Sequence, residues 1–562
     1  MGSLGGSNTE GGSTPPAFNI NRIAIIGAGP SGLAAAKHLL AEGFSSSQIH
    51  IFEQQAEVGG VWNYSPVASS EPLRVPQIDA HTTPDTPIYP NEEEERDEYE
   101  DYEFDSDEEA STAPGSGACS LPAASSRKEK KPPIFPNPMY DDLHTNIPHT
   151  LMKYSDLGFT TDGKGKGTSD GCEIFPTRQV VQEYVLHYAR DVRHLVRFST
   201  QVTDISLQTA LSEASPGREF QIKEKWTVRS TDLITEVPRV EIYDAVVVAS
   251  GHYSTPYIPP IPEISTFADT HPGTISHSKA YDKASAFAGK RVVIVGSGPS
   301  GLDIASQISA ICASPLIISA RSAIPEDMGK HIGVGGKVRV VGQIKRFLVN
   351  EKGIEVSSAP TSPGTETEDE NTERILDIDA IVFCTGYLYA FPFFSQSSLP
   401  SSTPPLITDG RRVHSIARHF IHTYHPTLVF PGLPIKIIPF PLSEAQAAVF
   451  SRLWGNRLPL PSHEELQNWE REDEQGKGPE GERVPGKSFH VFPKGGDARY
   501  INALHDWALR AREGEKRGKG KEPPFWGDEE LWQRGIYVQA KIRFEETGRK
   551  AKTLEELGFV HG

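Results

Sequence analysis

Two segments of this chain, Gly27-Ala28-Gly29-Pro30-Ser31-Gly32 and Gly296-Ser297-Gly298-Pro299-Ser300-Gly301, share one G-x-G-x-x-G spacing and lie 269 residues apart. Glycines at this spacing suit a pyrophosphate. The first permits a tight turn, the second lets backbone approach the phosphates, and the third lets a helix pack close to its strand. The free N–H groups and positive dipole end of that helix then face the anion. One such motif is weak evidence, because glycine-rich turns are common. Two, each after an apolar β-branched run and each opening a helix, predict two dinucleotides on one polypeptide, ordinarily a flavin and a nicotinamide.

The elements around each motif carry the reading further. Arg22-Ile23-Ala24-Ile25-Ile26 reads as a buried parallel strand, with a helix from Ser31 to Glu42 and a second strand over Ile49–Phe52. Glu53 ends that strand 21 residues after Gly32, near the ~20 expected of the acid that binds a ribose hydroxyl pair. In the second unit Arg291–Val295 is the strand, Pro299–Ile311 the helix and Leu316–Ser319 the next strand. Arg321 now stands 20 residues after Gly301. A guanidinium there accommodates a 2′-phosphate, which selects NADPH over NADH. A further repeat matches Asp244–Gly251 to Asp379–Gly386, each a late strand ending in small residues and followed by a tyrosine.

Charge and cysteine content narrow the chemistry. The net charge of −18 is concentrated in Asn91–Glu109, which holds thirteen acids and one arginine and leaves about −6 for the remainder. With no basic stripe, nucleic-acid binding is not expected. Arg127–Lys131 reads as a solvated basic linker. Cys119, Cys172, Cys312 and Cys384 are mutually distant, so there is neither a C-x-x-C redox pair nor zinc spacing. That excludes the cysteine relay of the flavin disulfide reductases. His414, His419, His422 and His425 lead into a buried-strand run, Pro426–Phe430, and read as structural. There is no signal peptide and no apolar run of membrane-spanning length, so a soluble, cytoplasmic enzyme without an integral membrane segment is expected.

The organisation predicted is α/β, with two Rossmann-like dinucleotide-binding domains, the NADP domain inserted in the FAD domain, and a helical C-terminal extension. Residues 1–19 are expected to be disordered. The FAD-binding domain spans 20–255, including an acidic, flexible insertion over 65–135. A helical stretch is expected over Gln179–Phe198, and Pro256–Pro262 reads as a hinge. The NADP-binding domain follows over 256–383, with a polar loop over Gly353–Asn371. The chain then completes the FAD domain over 384–460, and 461–562 forms helices packed over it. The apolar Leu433–Phe440 segment lines a cavity or belongs to the core.

Further motifs occur in a fixed order. Glu53 is followed by Gly59-Gly60-Val61-Trp62, then by Tyr140-Asp141-Asp142-Leu143-His144-Thr145-Asn146. His271 to Tyr281 precedes the second glycine motif, and Phe383-Cys384-Thr385-Gly386-Tyr387 follows it. This order resembles the flavin-containing monooxygenases, which oxygenate nitrogen and sulfur using NADPH and FAD. The family's F-x-G-x-x-x-H-x-x-x-[FY] motif is met by Gly273, His277 and Tyr281, with His271 at the phenylalanine position. Tyr281 stands where the related Baeyer–Villiger oxygenases place a tryptophan, and Cys384 where alanine is usual.

The resemblance implies FAD held by Gly27, Gly29, Gly32, Glu53, Gly60, Trp62, Thr145, Asn146 and Val202. It implies NADPH held by Gly296, Ser297, Gly298, Ser300, Gly301 and Arg321, with Thr385 and Gly386 beside the cofactors. It also implies a C4a-hydroperoxyflavin that Asn146 stabilises and that passes one oxygen atom from O2 to the soft nitrogen or sulfur of a small molecule, as in a tailoring step of specialised metabolite biosynthesis. A neutral amide can donate and accept hydrogen bonds there without taking the peroxide's proton. Two other chemistries fit the scaffold: Baeyer–Villiger oxygenation, which would yield an ester from a ketone, and an NADPH oxidase or electron-transfer reductase, which would release peroxide directly. Oligomeric state is not legible.

Overall fold

The structure, a computed structural model, describes residues 17–66, 72–90, 130–159, 171–208, 221–222, 224–360, 371–475, 489–511 and 520–562. Residues that are apolar on both faces make its strands. In the first sheet β1 (Ile23–Ile26) is wholly buried and runs parallel to β2 (Ile49–Phe52) on one side and to β3 (Ala245–Val248) on the other. Val196–Arg197 adds beyond β2 and Leu428–Val429 beyond β3, both parallel. Ile421–His422 and Ile416–Ala417 finish that edge as antiparallel strands. Residues beyond 416 therefore return to the sheet that Ile23 began.

Between these visits the chain builds a second sheet. Here β4 (Val292–Val295) lies between β5 (Leu316–Ser319) and β6 (Ala380–Phe383). Ile275–His277 and Val338–Val341 form the edges, and every pairing is parallel. The expected nesting of one Rossmann-like unit inside another is thus observed. Each unit's first strand enters a helix opened by proline, α1 (Pro30–Ala41) and α2 (Pro299–Ser309), with Gly29 and Gly298 as N-caps. Proline suits that position because its missing N–H would have had no helical partner.

The two segments joining the units pair with each other: Thr255–Pro256 lies antiparallel to Tyr387–Leu388. His277 secures this crossing. Its Nε2 donates to the Gly386 carbonyl at 3.1 Å, while its Nδ1 accepts the Lys279 N–H at 3.1 Å. Both nitrogens are therefore committed in the neutral tautomer. Burial lowers the imidazole pKa to about 4. His277 itself is packed into this crossing, 1 % exposed and edge-on to Tyr387.

Beyond the sheets, α3 (Pro439–Trp454) is buried nearly all round, packed between α1 and a later helix. The extension adds α4 (His463–Gln475), α5 (Gly496–Leu509) and α6 (Asp528–Glu546). Arg412 pairs with Glu470 and Glu474, and Arg418 with Glu472 and Asp473, pinning α4 to the returning segment. Helix α5 packs on α3, as expected. Helix α6 departs from expectation, because it also touches Glu326–His331 in the second unit.

Three other expectations need correction. Gly353–Ser357 is a strand, not a loop: it pairs on one side with Ile344–Leu348 and on the other with Thr372–Ile375. The nearby Pro, Ser and Glu, which bias the composition, fall mostly in 361–370, outside the described residues. The helix expected to reach Phe198 ends at Ala189, and a short turn then delivers Val196–Arg197 to the first sheet. Within the supposedly flexible 65–135, residues 72–90 are packed: Gln77 exchanges backbone hydrogen bonds with Ile258, and Ala80 is buried. Residues 67–71 and 91–129, including Cys119, lie outside the described residues, as do 1–16. Phe18, by contrast, is buried and bonded through its backbone to the Asn456 side chain.

Because His277 is held neutral, its contribution to stability is present above the unfolded-state value near 6.5 and is lost as pH falls toward about 4. The full loss is about 3 kcal/mol for a shift of this size. Urea midpoints measured between pH 7.5 and 4 should fall steeply in the wild type. The same series in His277→Gln, whose amide can still donate to Gly386, should be less stable at neutral pH but flatter; an equally steep series would exclude His277 as the cause.

Candidate functional site

Each glycine motif is shaped by contacts that leave no room for a side chain. A Cβ on Gly27 would lie 2.6 Å from the Ala249 carbonyl oxygen, and one on Gly32 would lie 2.0 Å from that of Gly27. The second unit repeats this: a Cβ on Gly296 would meet the Cys384 carbonyl oxygen at 2.7 Å, and one on Gly301 that of Gly296 at 2.1 Å. Ala249 and Cys384 occupy matching places after β3 and β6, which gives the internal repeat its structural meaning. Gly298, in contrast, is exposed and opens onto free space. Backbone there can be approached by a ligand that any Cβ would keep away.

Around the first motif, Glu53 lies at the end of β2 and is 5 % exposed. Its Oε2 accepts the Ala28 N–H at 2.8 Å and its Oε1 the Gln55 N–H at 2.9 Å. Burial raises its pKa, and these N–H groups oppose the rise. Gly60 faces Gly29, with its position set by a turn in which Gly59 abuts the Gln182 amide. Gln182 in turn donates to the Val58 carbonyl at 2.9 Å. Trp62 closes the same short helical turn, half-buried and edge-on to Phe440. Val202 is buried in the core on the strand Thr200–Gln208, whose Thr200 N–H donates to the Glu53 carbonyl at 2.8 Å. These residues form one cradle: Gly27, Gly29, Gly32, Glu53, Gly60 and Trp62, with Val202 behind.

The second cradle gathers Gly296, Ser297, Gly298, Ser300, Gly301 and Arg321 at the carboxyl ends of β4 and β5. Arg321 is exposed and has no ion-pair partner among the described residues. Thr385 and Gly386 sit at the crossing between the units: the Thr385 hydroxyl donates to the Tyr257 carbonyl, and the Tyr257 N–H donates to Gly386. Burial lifts the neighbouring Cys384 thiol to about 12, so it is a packing group and not a nucleophile at neutral pH.

Thr145 and Asn146 lie on a loop tied to residues 174–178. The Thr145 N–H donates to Pro176 at 2.9 Å and the His149 N–H to Ile174 at 2.9 Å. Thr145 is buried, with its hydroxyl on the Ile147 carbonyl at 2.8 Å. Asn146 is exposed, and its amide has no partner among the described residues. The same loop begins at Tyr140, which bonds Asp303 of α2 and meets Tyr281 edge-on at 5.2 Å. Tyr281 itself donates to Gln307 at 2.8 Å.

Asp303 and His252 escaped sequence reasoning. Asp303, two residues past the last motif glycine, reads as the polar face of a helix; its half-buried carboxyl, raised by desolvation, answers a tyrosine 163 residues away. His252 follows Gly251, and its buried Nε2 has no hydrogen-bond partner, while the adjacent Tyr253 is 43 % exposed. The histidine cluster has ordinary partners: His425 bonds Glu224 at 2.7 Å and donates its N–H to His422, while His419 lies 3.3 Å from His490. Leu433, Ile438 and Phe440 of the apolar segment are core. No described helix is long and apolar enough to cross a membrane.

The residues present fit two dinucleotides, one cradle lined by a buried carboxyl and the other by an open glycine and a free guanidinium. Family models agree. A flavin-binding monooxygenase-like model matches residues 137–359, and an FAD-NAD(P)-binding model matches 24–118. Flavin-containing monooxygenase ustF2 of Aspergillus flavus is 28% identical over 510 residues, 87% of this chain and 92% of the relative. Flavin-containing monooxygenase iboF of Amanita muscaria is 28% identical over 517 residues, 86% and 85% of the two chains. The structure of S-allyl-L-cysteine S-oxygenase from Allium sativum shares the fold with a TM-score of 0.63, at 22% identity over 96% of each chain. Spanning the chain from its first strand to its extension, these matches liken it to the flavin-containing monooxygenases, and with the paired cradles they support FAD and NADP(H) as its cofactors.

Proposed function

We propose that this monooxygenase transfers one oxygen atom to the soft nitrogen or sulfur of a small molecule, with NADPH as reductant. In the balanced reaction NADPH, a proton, O2 and the substrate give NADP+, water and the oxygenated product. FAD held by Gly27, Gly29, Gly32 and Glu53 would supply the electron-accepting and O2-activating chemistry. The protein binds and orients the two cofactors, excludes water, and hydrogen-bonds the oxygens without donating a proton too early.

The observation that carries this reading is the loop of Asn146. It is fixed through Tyr140 to the second unit's helix α2, yet presents an amide with no competing partner. An amide so held can serve as donor and acceptor to activated oxygen. Substrate turnover then asks no acid–base pair of the protein, because a soft nitrogen or sulfur is itself the nucleophile. Tyr281, in the tyrosine form of the family motif, supports heteroatom oxygenation over ester formation.

Glu53 is assigned to the FAD ribose and Arg321 to the 2′-phosphate of NADPH. Removing one charge-assisted hydrogen bond costs about 1.5–3 kcal/mol. Arg321→Ala should therefore raise KM for NADPH roughly ten- to a hundredfold and leave that for NADH nearly unchanged. Steady-state kinetics with both nucleotides decide it, and an equal effect on the two would remove Arg321 from the site. For Asn146→Ala, NADPH consumption should continue while oxygenated product falls roughly a hundredfold, by analogy with loss of a preorganised donor, and peroxide rises to match. Assays with thioethers and amines read both quantities; unchanged coupling of NADPH to product would sink the role given to Asn146.

A further inference from the structure

Helix α6 lies where neither cradle needs it for closure, yet it touches the Asn146 loop on both sides. Gln533, 4 % exposed, accepts the Thr150 hydroxyl at 2.6 Å just after Asn146. Phe544, fully buried, packs against His144 at 5.7 Å and Phe175 at 5.2 Å just before it. Immediately beyond the helix, Arg549 pairs with Asp142 at 2.9 Å. The strand-like partner of the loop is held by the segment after the helix, because the Ile174 N–H donates to the Ala551 carbonyl at 2.9 Å. Ile174, Phe175, Ala540, Phe544, Leu554 and Leu557 form a small core of their own.

The helix also faces the other unit. Lys541 and Glu545, paired at 2.7 Å, and Arg549 all act electrostatically on Asp303, the α2 carboxyl that binds Tyr140. Helix α6 further packs against Glu326–His331, the helix that follows Arg321. Helix α6, with Arg549 in the turn just beyond it, thus grips the loop at residues 142, 144 and 150 and reaches α2 and the segment beyond Arg321.

We infer that α6 is a clasp that positions the Asn146 loop against the second nucleotide-binding unit, with Gln533, Phe544 and Arg549 as positioning residues for oxygen transfer. This rests on the role given above to Asn146. The extension is then part of the oxygenation machinery although it contributes no group to either cradle. Its effect is to hold the amide where activated oxygen forms, since displacement by about 1 Å can cost on the order of a hundredfold in rate. A loosened clasp leaves flavin reduction intact and diverts electrons from product to peroxide.

The test uses the full-length holoenzyme with Thr150→Val and Arg549→Gln combined, which removes polar ties and leaves the Phe544 core in place. Expected are FAD affinity, by titration of the stripped protein, and KM for NADPH both changed less than about twofold, together with a peroxide fraction raised roughly tenfold. Hydrogen exchange over 141–152 should quicken, while exchange over 292–302 should not. Thr150→Ser, which keeps the hydroxyl, should restore coupling when Arg549 is intact. Unchanged exchange and coupling in the double variant, beside an uncoupled Asn146→Ala, would overturn the clasp and leave the oxygenase reading standing. Asn146→Ala that remains coupled would overturn both.

Discussion

Everything in this molecule depends on two places where a helix is drawn against a strand more closely than any side chain allows. At Gly32 and Gly301 an added Cβ would fall within 2.0 and 2.1 Å of a carbonyl oxygen of the preceding turn. That approach fixes the direction in which α1 and α2 leave their strands, and so where their free N–H groups point. Gly27 and Gly296 add a second constraint by pressing against the chain after β3 and β6. Those chain segments lead onward to Thr255–Pro256 and Tyr387–Leu388, the paired crossings between units. Cofactor cradle and interdomain joint are thus parts of one packing problem, solved twice.

This explains why the fold was so legible in sequence. A requirement for glycine at three fixed positions after a β-branched run is met by few residue choices, and the acid or arginine about 20 residues on follows from the length of one helix and one strand. Glu53 and Arg321 emerge at the ends of β2 and β5 for that reason. Strand Gly353–Ser357 was hidden because its alternation of Ile354, Glu355 and Val356 sits beside a run of polar residues that dominates any window. Asp303 was hidden for a different reason. Its partner Tyr140 is remote in sequence, and a carboxyl on an amphipathic helix looks solvated until the tertiary fold desolvates it.

The assignment of histidines shows the same divide between local pattern and tertiary environment. Four histidines within a dozen residues invite a metal reading, yet their partners are Glu224 and His490 from distant segments, the Thr403 and Thr408 hydroxyls nearby, and the His425 backbone N–H for His422. His277 sits in a family motif and could be mistaken for a proton-transfer group. With one nitrogen donating to Gly386 and the other accepting from Lys279, it has no site left for substrate. Desolvation then removes any tendency to charge near neutrality. Its conformational role follows from satisfied valence, not from position in a motif.

The extension shows where motif logic stops. Helix α6 and the turn after it carry no recognisable signature, because what they supply is a surface: a buried amide for Thr150, a ring for His144 and, from Arg549 in the turn, a cation for Asp142. Such contacts are chosen pairwise and leave no spacing rule in the chain. The Asn146 loop is short, exposed at its functional residue, and bonded mainly through backbone to residues 174–178. Those bonds set its path, while toward the second unit the loop is tied near its start, by Tyr140 on Asp303, by the Asp141 N–H on the Asp282 carbonyl and by Leu143 against that unit's core. A nucleotide-dependent oxygenase must keep the amide and the second cradle in register while two cofactors fill the space between them. An element that grips the loop and also reaches Asp303 meets that demand with residues that never touch either cofactor.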